Sequence, residues 1–337
     1  MRTLGFCGAI ALVVALGQTS HAQSSLPSNL SAYAQPQTLV TLAGGRKLNL
    51  VCQGREDSDA PIVILTAGAG DWAASWNAVQ PLVARTARVC AWDRPGFGYS
   101  DASPASQSAA NLGEDLAAAL KAANLPPPYL LVGHSAGSFE TLWFADNHRG
   151  DIAGMVLVDP SPPDMAARIG AVSPPAAAMV RADLSGRAGA LHRCAANTAQ
   201  PAPADAAVCF RLPEHARPLA ESFAARDHES ARLQTRASLF EQFEASSGML
   251  ANPARNYGNL PLAVLTSEKT PVATLPVDPP AHAALETLWN GSHDEMAALS
   301  RRGSNRIVPG AGHQIQLEQP QAVAGAIAQV LELARER

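Results

Sequence analysis

The sequence predicts an α/β domain with a mostly parallel sheet, carrying a helical insertion. Three observations carry this. Short, continuous apolar runs alternate with helical segments over residues 38–160 and again over 257–337, as strands buried on both faces and joined by helices do. Between them, residues 161–256 are rich in Ala, Pro and Arg and lack strand signals. The chain of 337 residues, 47% of them hydrophobic, is long enough for one large core with an insertion.

The elements follow in order. TLVTLAGGRKLNLVCQG reads as two strands joined by a Gly-Gly turn, and APIVILTAG as a buried strand. ASWNAVQPLVA fits a helix, and ARVCAWDRPGFG is a strand that breaks at Asp93-Arg94-Pro95. NLGEDLAAALKAAN has helical spacing and good helix formers. YLLVGHS is the next strand, AGSFETLWFADNH the helix after it, and GMVLVDPSPP a strand stopped by prolines. Within the insertion, ARPLAESFAARDHESARLQTRASLFEQF reads as amphipathic helix. LPLAVLTSE resumes the strands. Ser292-His293-Asp294-Glu295 has the spacing of a capping box that opens a helix. NRIVPGAGH is the last strand, and PQAVAGAIAQVLELARER a closing helix with Pro320 at its start.

The N-terminus places Arg2 before an apolar run from Leu4 to Leu16, then Ser20-His21-Ala22. This is the pattern of a secretory signal peptide over 1–22, cut after Ala22. It predicts a periplasmic or secreted protein, without stable membrane insertion, whose residues 23–37 form a flexible leader. A formal net charge of −4 and the lack of a basic block argue against nucleic acid as a partner. Cleavage would leave Cys52, Cys90, Cys194 and Cys209; four thiols in an exported chain suggest two disulfides. There is no C-x-x-C, no H-E-x-x-H and no Gly-rich dinucleotide loop, so neither a metal nor an organic cofactor is expected.

Gly133-His134-Ser135-Ala136-Gly137 is a G-x-S-x-G between a strand and a helix. In that context the turn is so tight that side chains two residues either side of the serine would clash, and glycine relieves both. The hydroxyl then stands at the sheet's end, beside a helix N-terminus. A serine needs a base. Among the histidines that survive cleavage, His313 alone follows the last strand in a loop, where Gly310 and Gly312 can aim its ring. His148, His228 and His293 read as solvated residues, and the ring of His134 should point away from the serine. Asp93, Arg94 and Gly96 read as structural, the Asp binding its own turn.

With LTAGAG, WDRPGFGYSD, GHSAG and GAGHQI at these places, the chain resembles the α/β-hydrolase fold family, in its lid-bearing esterase and lipase-like branch. The resemblance implies an eight-stranded sheet, a core of 38–160 and 257–337, and a helical lid over 161–256 after strand six. It implies an oxyanion hole from the N–H groups of Ala69 and Ala136. For the acid that orients His313 the family pattern is not met directly, since Thr270 stands where Asp is common after strand seven. Other members place the acid after strand six, where Asp159 lies 24 residues beyond Ser135. Asp159 is the first choice, with Glu268 and then Asp278 as alternatives. The family's strand order makes Cys52 and Cys90 neighbours, and Cys194 with Cys209 would staple the lid; other pairings stay open. Trp72, Trp76 and Phe139 are candidates to line or underlie the pocket.

These readings converge on an exported serine hydrolase of small ester substrates, carboxylesterase-like, with Ser135, His313 and Asp159 in the catalytic roles. An amide or peptide hydrolase and a catalytically silent binding protein are the alternatives. The sequence does not indicate an oligomeric state.

Overall fold

A computed structural model describes residues 29–56, 60–210 and 212–336. The predicted signal peptide lies outside them. Eight strands form one sheet: β1 Thr38–Thr41, β2 Lys47–Gln53, β3 Ile62–Thr66, β4 Val89–Trp92, β5 Tyr129–His134, β6 Ile152–Val158, β7 Leu262–Ser267 and β8 Gly303–Val308. Their order is β1-β2-β4-β3-β5-β6-β7-β8. β1, β2 and β4 pair antiparallel, and every pairing from β4 through β3 to β8 is parallel. All residues of β4, β5 and β7 are buried, which is why these strands read as unbroken apolar runs rather than alternating ones.

The helices are α1 Gln80–Val83, α2 Ala109–Ala122, α3 Gly137–Asn147, α4 Met165–Val172, α5 Pro174–Ala196, α6 Pro203–Cys209, α7 Ala220–Asp227, α8 Ser230–Glu241, α9 Phe243–Met249, α10 Pro279–Ala297, α11 Ile315–Glu318 and α12 Pro320–Arg335. Helices α4 to α9 make up the insertion between β6 and β7. The main hydrophobic core runs through the sheet, α2, α3 and α12, while a separate cluster around Leu191, Cys194, Cys209 and Leu233 holds the insertion together.

Several local expectations are corrected. The described part of the leader is packed: Leu30 and Tyr33 are buried, and the Tyr33 hydroxyl donates to Gln80 Oε1 at 2.5 Å. ASWNAVQPLVA forms a 3-10 turn at Ala73–Trp76 and the single turn α1. The long amphipathic stretch is broken at His228-Glu229 and at Gln242 into α7, α8 and α9. The 292–295 capping box does not open a helix; it lies inside α10, and the Ser292 hydroxyl donates back to Leu288 O. The cap of α10 is Asp278, which accepts from Ala281 N at 2.9 Å.

The structure joins Cys52 to Cys90 across the paired strands β2 and β4, and Cys194 to Cys209 between α5 and α6. The insertion is fixed to the loop after β4. Arg232, fully buried, donates to the carbonyls of Gly98 and Ser100, and Arg236 Nε donates to Gly96 O at 2.8 Å. Thr235 Oγ1 accepts from Ser103 N, and Ser238 Oγ from Gln107 N.

Candidate active site

The turn at Ser135 joins β5 to α3. A Cβ on Gly133 would come within 2.6 Å of Thr141 Oγ1 and 2.7 Å of Gly137 O; one on Gly137 would come within 2.5 Å of Thr66 O. Both glycines are therefore required by close approach. Ser135 itself sits at φ +50°, a conformation that costs a non-glycine residue about 1–3 kcal/mol and persists only when surrounding bonds hold it. Here its N–H donates to Val158 O, and its carbonyl accepts from the N–H groups of Ser138 and Ser161.

Ser135 Oγ lies 2.9 Å from His313 Nε2, and His313 Nδ1 lies 2.6 Å from Asp159 Oδ2. With the hydroxyl donating to Nε2 and Nδ1–H donating to the carboxylate, the three side chains form one row. Asp159 follows β6 at φ +39° and is fully buried. Its carboxylate also accepts from Ser267 N (2.9 Å), Ser267 Oγ (2.9 Å) and Trp289 Nε1 (3.2 Å). Burial pushes this carboxyl up, but the hydrogen bond and charge of His313, His293 nearby and the Ser267 N–H outweigh it, so Asp159 ionises below the usual range.

The loop carrying His313 is tied at several points. Gly310, at φ +75°, donates its N–H to Glu268 Oε2 at 2.9 Å, and Gly312 N donates to Glu318 Oε2 at 2.7 Å. Glu268, the alternative acid, thus holds the turn and makes no bond to the His313 ring; Asp278 caps α10. His134 points away from Ser135: its Nε2–H donates to His313 O at 2.9 Å, and its Nδ1 accepts from Gln316 Nε2 at 3.2 Å. Burial and the neighbouring His313 push its pKa down to about 3, so it is a neutral strut. His293 is not solvated as expected. It is fully buried on α10, bridging Thr266 Oγ1 (2.8 Å) and Pro160 O (2.9 Å), and burial lowers its pKa. Ser267, Trp289 and His293 were missed by sequence reasoning because they reach Asp159 from β7 and α10, more than 100 positions away, without any motif.

Ala136 follows Ser135 in the chain, and Ala69 follows Gly68 in the loop after β3. A Cβ on Gly68 would come within 3.2 Å of Ser135 Cβ, so the loop after β3 lies against the serine. Among the described residues, neither the Ala69 nor the Ala136 N–H has a protein acceptor. A cleft of about 1040 Å³ opens between this loop and the insertion, lined by Ala69, Trp72, Phe97, His215, Phe240 and Gln314 among others. Trp72 is among its lining residues, while Ser135 and His313 are not. Phe139 does not line it; it is buried edge-on against Phe243 of α9. Trp76 is fully buried and likewise outside the cleft. Asp93 is structural: its carboxylate accepts from Ala73 N, Asn49 Nδ2 and Tyr99 N.

Sequence and fold comparisons bear on the family and the fold. A model of the alpha/beta hydrolase fold matches residues 60–244. The chain belongs to the alpha/beta hydrolase family. The uncharacterized protein YqjL of Bacillus subtilis is 35% identical over 114 residues, covering 34% of this chain and 45% of that protein. The match thus spans less than half of that relative's length. Among solved structures, a thermophilic esterase from Thermogutta terrifontis aligns over 89% of this chain and 99% of its own, with TM-score 0.57 and 21% identity. The enol-lactonase from Burkholderia xenovorans aligns over 88% and 100%, with TM-score 0.59 and 16% identity. These likenesses are of fold. An alpha/beta hydrolase with a serine, a histidine and a buried carboxylate in one row has the parts for acyl transfer.

Proposed function

We propose that this protein is an exported serine hydrolase that cleaves carboxylic esters. The observation that carries the reading is the hydrogen-bonded row from Ser135 through His313 to Asp159, with Ser135 and Asp159 both held at positive φ. In it, His313 Nε2 takes the Ser135 proton as Oγ attacks the acyl carbonyl. Asp159 holds the imidazole in the right tautomer and stabilises the imidazolium. The N–H groups of Ala69 and Ala136 receive the oxyanion. His313 returns the proton to the leaving alcohol, and water attacks the acyl-enzyme with the same histidine as base. Export is supported by the two disulfides, which oxidising compartments favour.

The test is a fluorophosphonate probe with peptide mapping, followed by p-nitrophenyl esters of graded length beside a p-nitroanilide. The expected result is a single adduct on Ser135, absent in Ser135→Ala, and turnover of esters well above the anilide. A dominant anilide activity would replace the ester reading with amide hydrolysis. A folded protein that takes no adduct and turns over neither substrate would leave a binding protein. The exported form should have the mass of a chain beginning at Gln23.

A further inference from the structure

We infer that Arg94 is a positioning residue for the oxyanion hole, acting on the Ala69 N–H through the peptide that carries it. This rests on the serine hydrolase reading above. The guanidinium is buried and does not touch the cleft. Its Nη1 donates to Gly68 O at 2.9 Å and its Nη2 to Ala67 O, while Nε and Nη2 grip Glu140 of α3 at 2.5 and 3.2 Å. One planar fork thus ties the loop after β3 to the helix that begins at the serine turn.

The Gly68 carbonyl and the Ala69 N–H belong to one trans peptide unit, so they point in opposite directions. Pinning that carbonyl on Arg94 fixes the direction of the Ala69 N–H, in a loop whose Gly68 abuts Ser135 Cβ. The adjacent positive charge also polarises the peptide and strengthens the N–H as a donor to an anion. Glu140 neutralises the buried guanidinium and anchors it to α3, so the two backbone donors at Ala69 and Ala136 are set by one network. Lysine in its place would keep the charge but lose the fork that reaches three partners at once.

The experiment compares wild type with Arg94→Lys and with the milder Glu140→Gln, each checked by circular dichroism. The readouts are kcat and KM for a p-nitrophenyl ester and the affinity for a phenylboronate, which forms a tetrahedral adduct on the serine. In Arg94→Lys, kcat should fall about 10–100-fold, within the cost of losing one oxyanion donor. KM should change less than threefold, and boronate affinity should fall in step with kcat/KM. Glu140→Gln should show the same pattern at roughly 3–10-fold, and it carries the test if Arg94→Lys does not fold. A folded variant that loses thermal stability but keeps kcat and boronate affinity would overturn the inference. A wild type that takes no fluorophosphonate would instead overturn the hydrolase reading, so the two failures are distinct.

Discussion

At the residue scale, the site is defined by what each polar group is denied. Asp159 has no access to water, yet both its oxygens are occupied by donors. Replacing it by Asn keeps the shape but puts an amide N–H₂ where the carboxylate accepted, which favours the wrong His313 tautomer. Asp159→Asn should lower kcat by about 10³–10⁴-fold with KM little changed, measured in steady-state ester hydrolysis. His134 makes a different prediction. Its ordinary pKa of 6.5 is pushed down to about 3 in the fold, so between those values the unfolded chain binds a proton that the native chain refuses. Stability is therefore full above about pH 6.5 and is lost as pH falls towards 3, by up to about 1.4 kcal/mol per pH unit from this group. The lowered pKa of His293 adds in the same sense. In His134→Gln, the slope of Tm against pH over that range should flatten.

At the element scale, the tight turn between β5 and α3 was readable because its constraint is local. Two glycines placed two residues either side of a serine serve few purposes besides this turn, once a strand precedes and a helix follows. His313 was readable for a similar reason, from its place after the last strand. Asp159 could only be ranked, because what makes it the acid is distributed: Ser267 ends β7, Trp289 sits on α10, and their convergence is a property of sheet order. His293 misled for the same reason, since the polar run SHDE looks like a surface helix start, whereas its histidine faces the sheet. The breaks within 216–243 were also hidden, since the amphipathic spacing runs on through His228-Glu229 and Gln242 where the helices end. The glycine constraint itself is testable. Gly137→Ala would drive a methyl group into Thr66 O and Ala67 O, and the forced shift should cost about 1–3 kcal/mol in urea unfolding, with slower fluorophosphonate labelling.

At the scale of the whole molecule, the roof over the cleft is built more like a fixed cover than a hinged one. Arg232 and Arg236 hold carbonyls of the loop after β4, and Thr235 and Ser238 extend the seam to Gln107. A cover held this way predicts ordinary saturation kinetics. The rate with a short-chain ester should show no jump as substrate passes its solubility limit and forms droplets. The far side of the roof relies on Cys194–Cys209, which closes 15 residues of chain; removing it with paired serine substitutions should cost about 3 kcal/mol, read by thermal unfolding. This bond lies wholly within the roof, and Cys52–Cys90 wholly within the sheet. Among the described residues, no disulfide joins the two layers. Losing Cys194–Cys209 would slacken the wall around Cys209 while Ser135, His313 and Asp159 stay in line. On the proposed hydrolase reading, the range of substrates accepted would widen before turnover slowed.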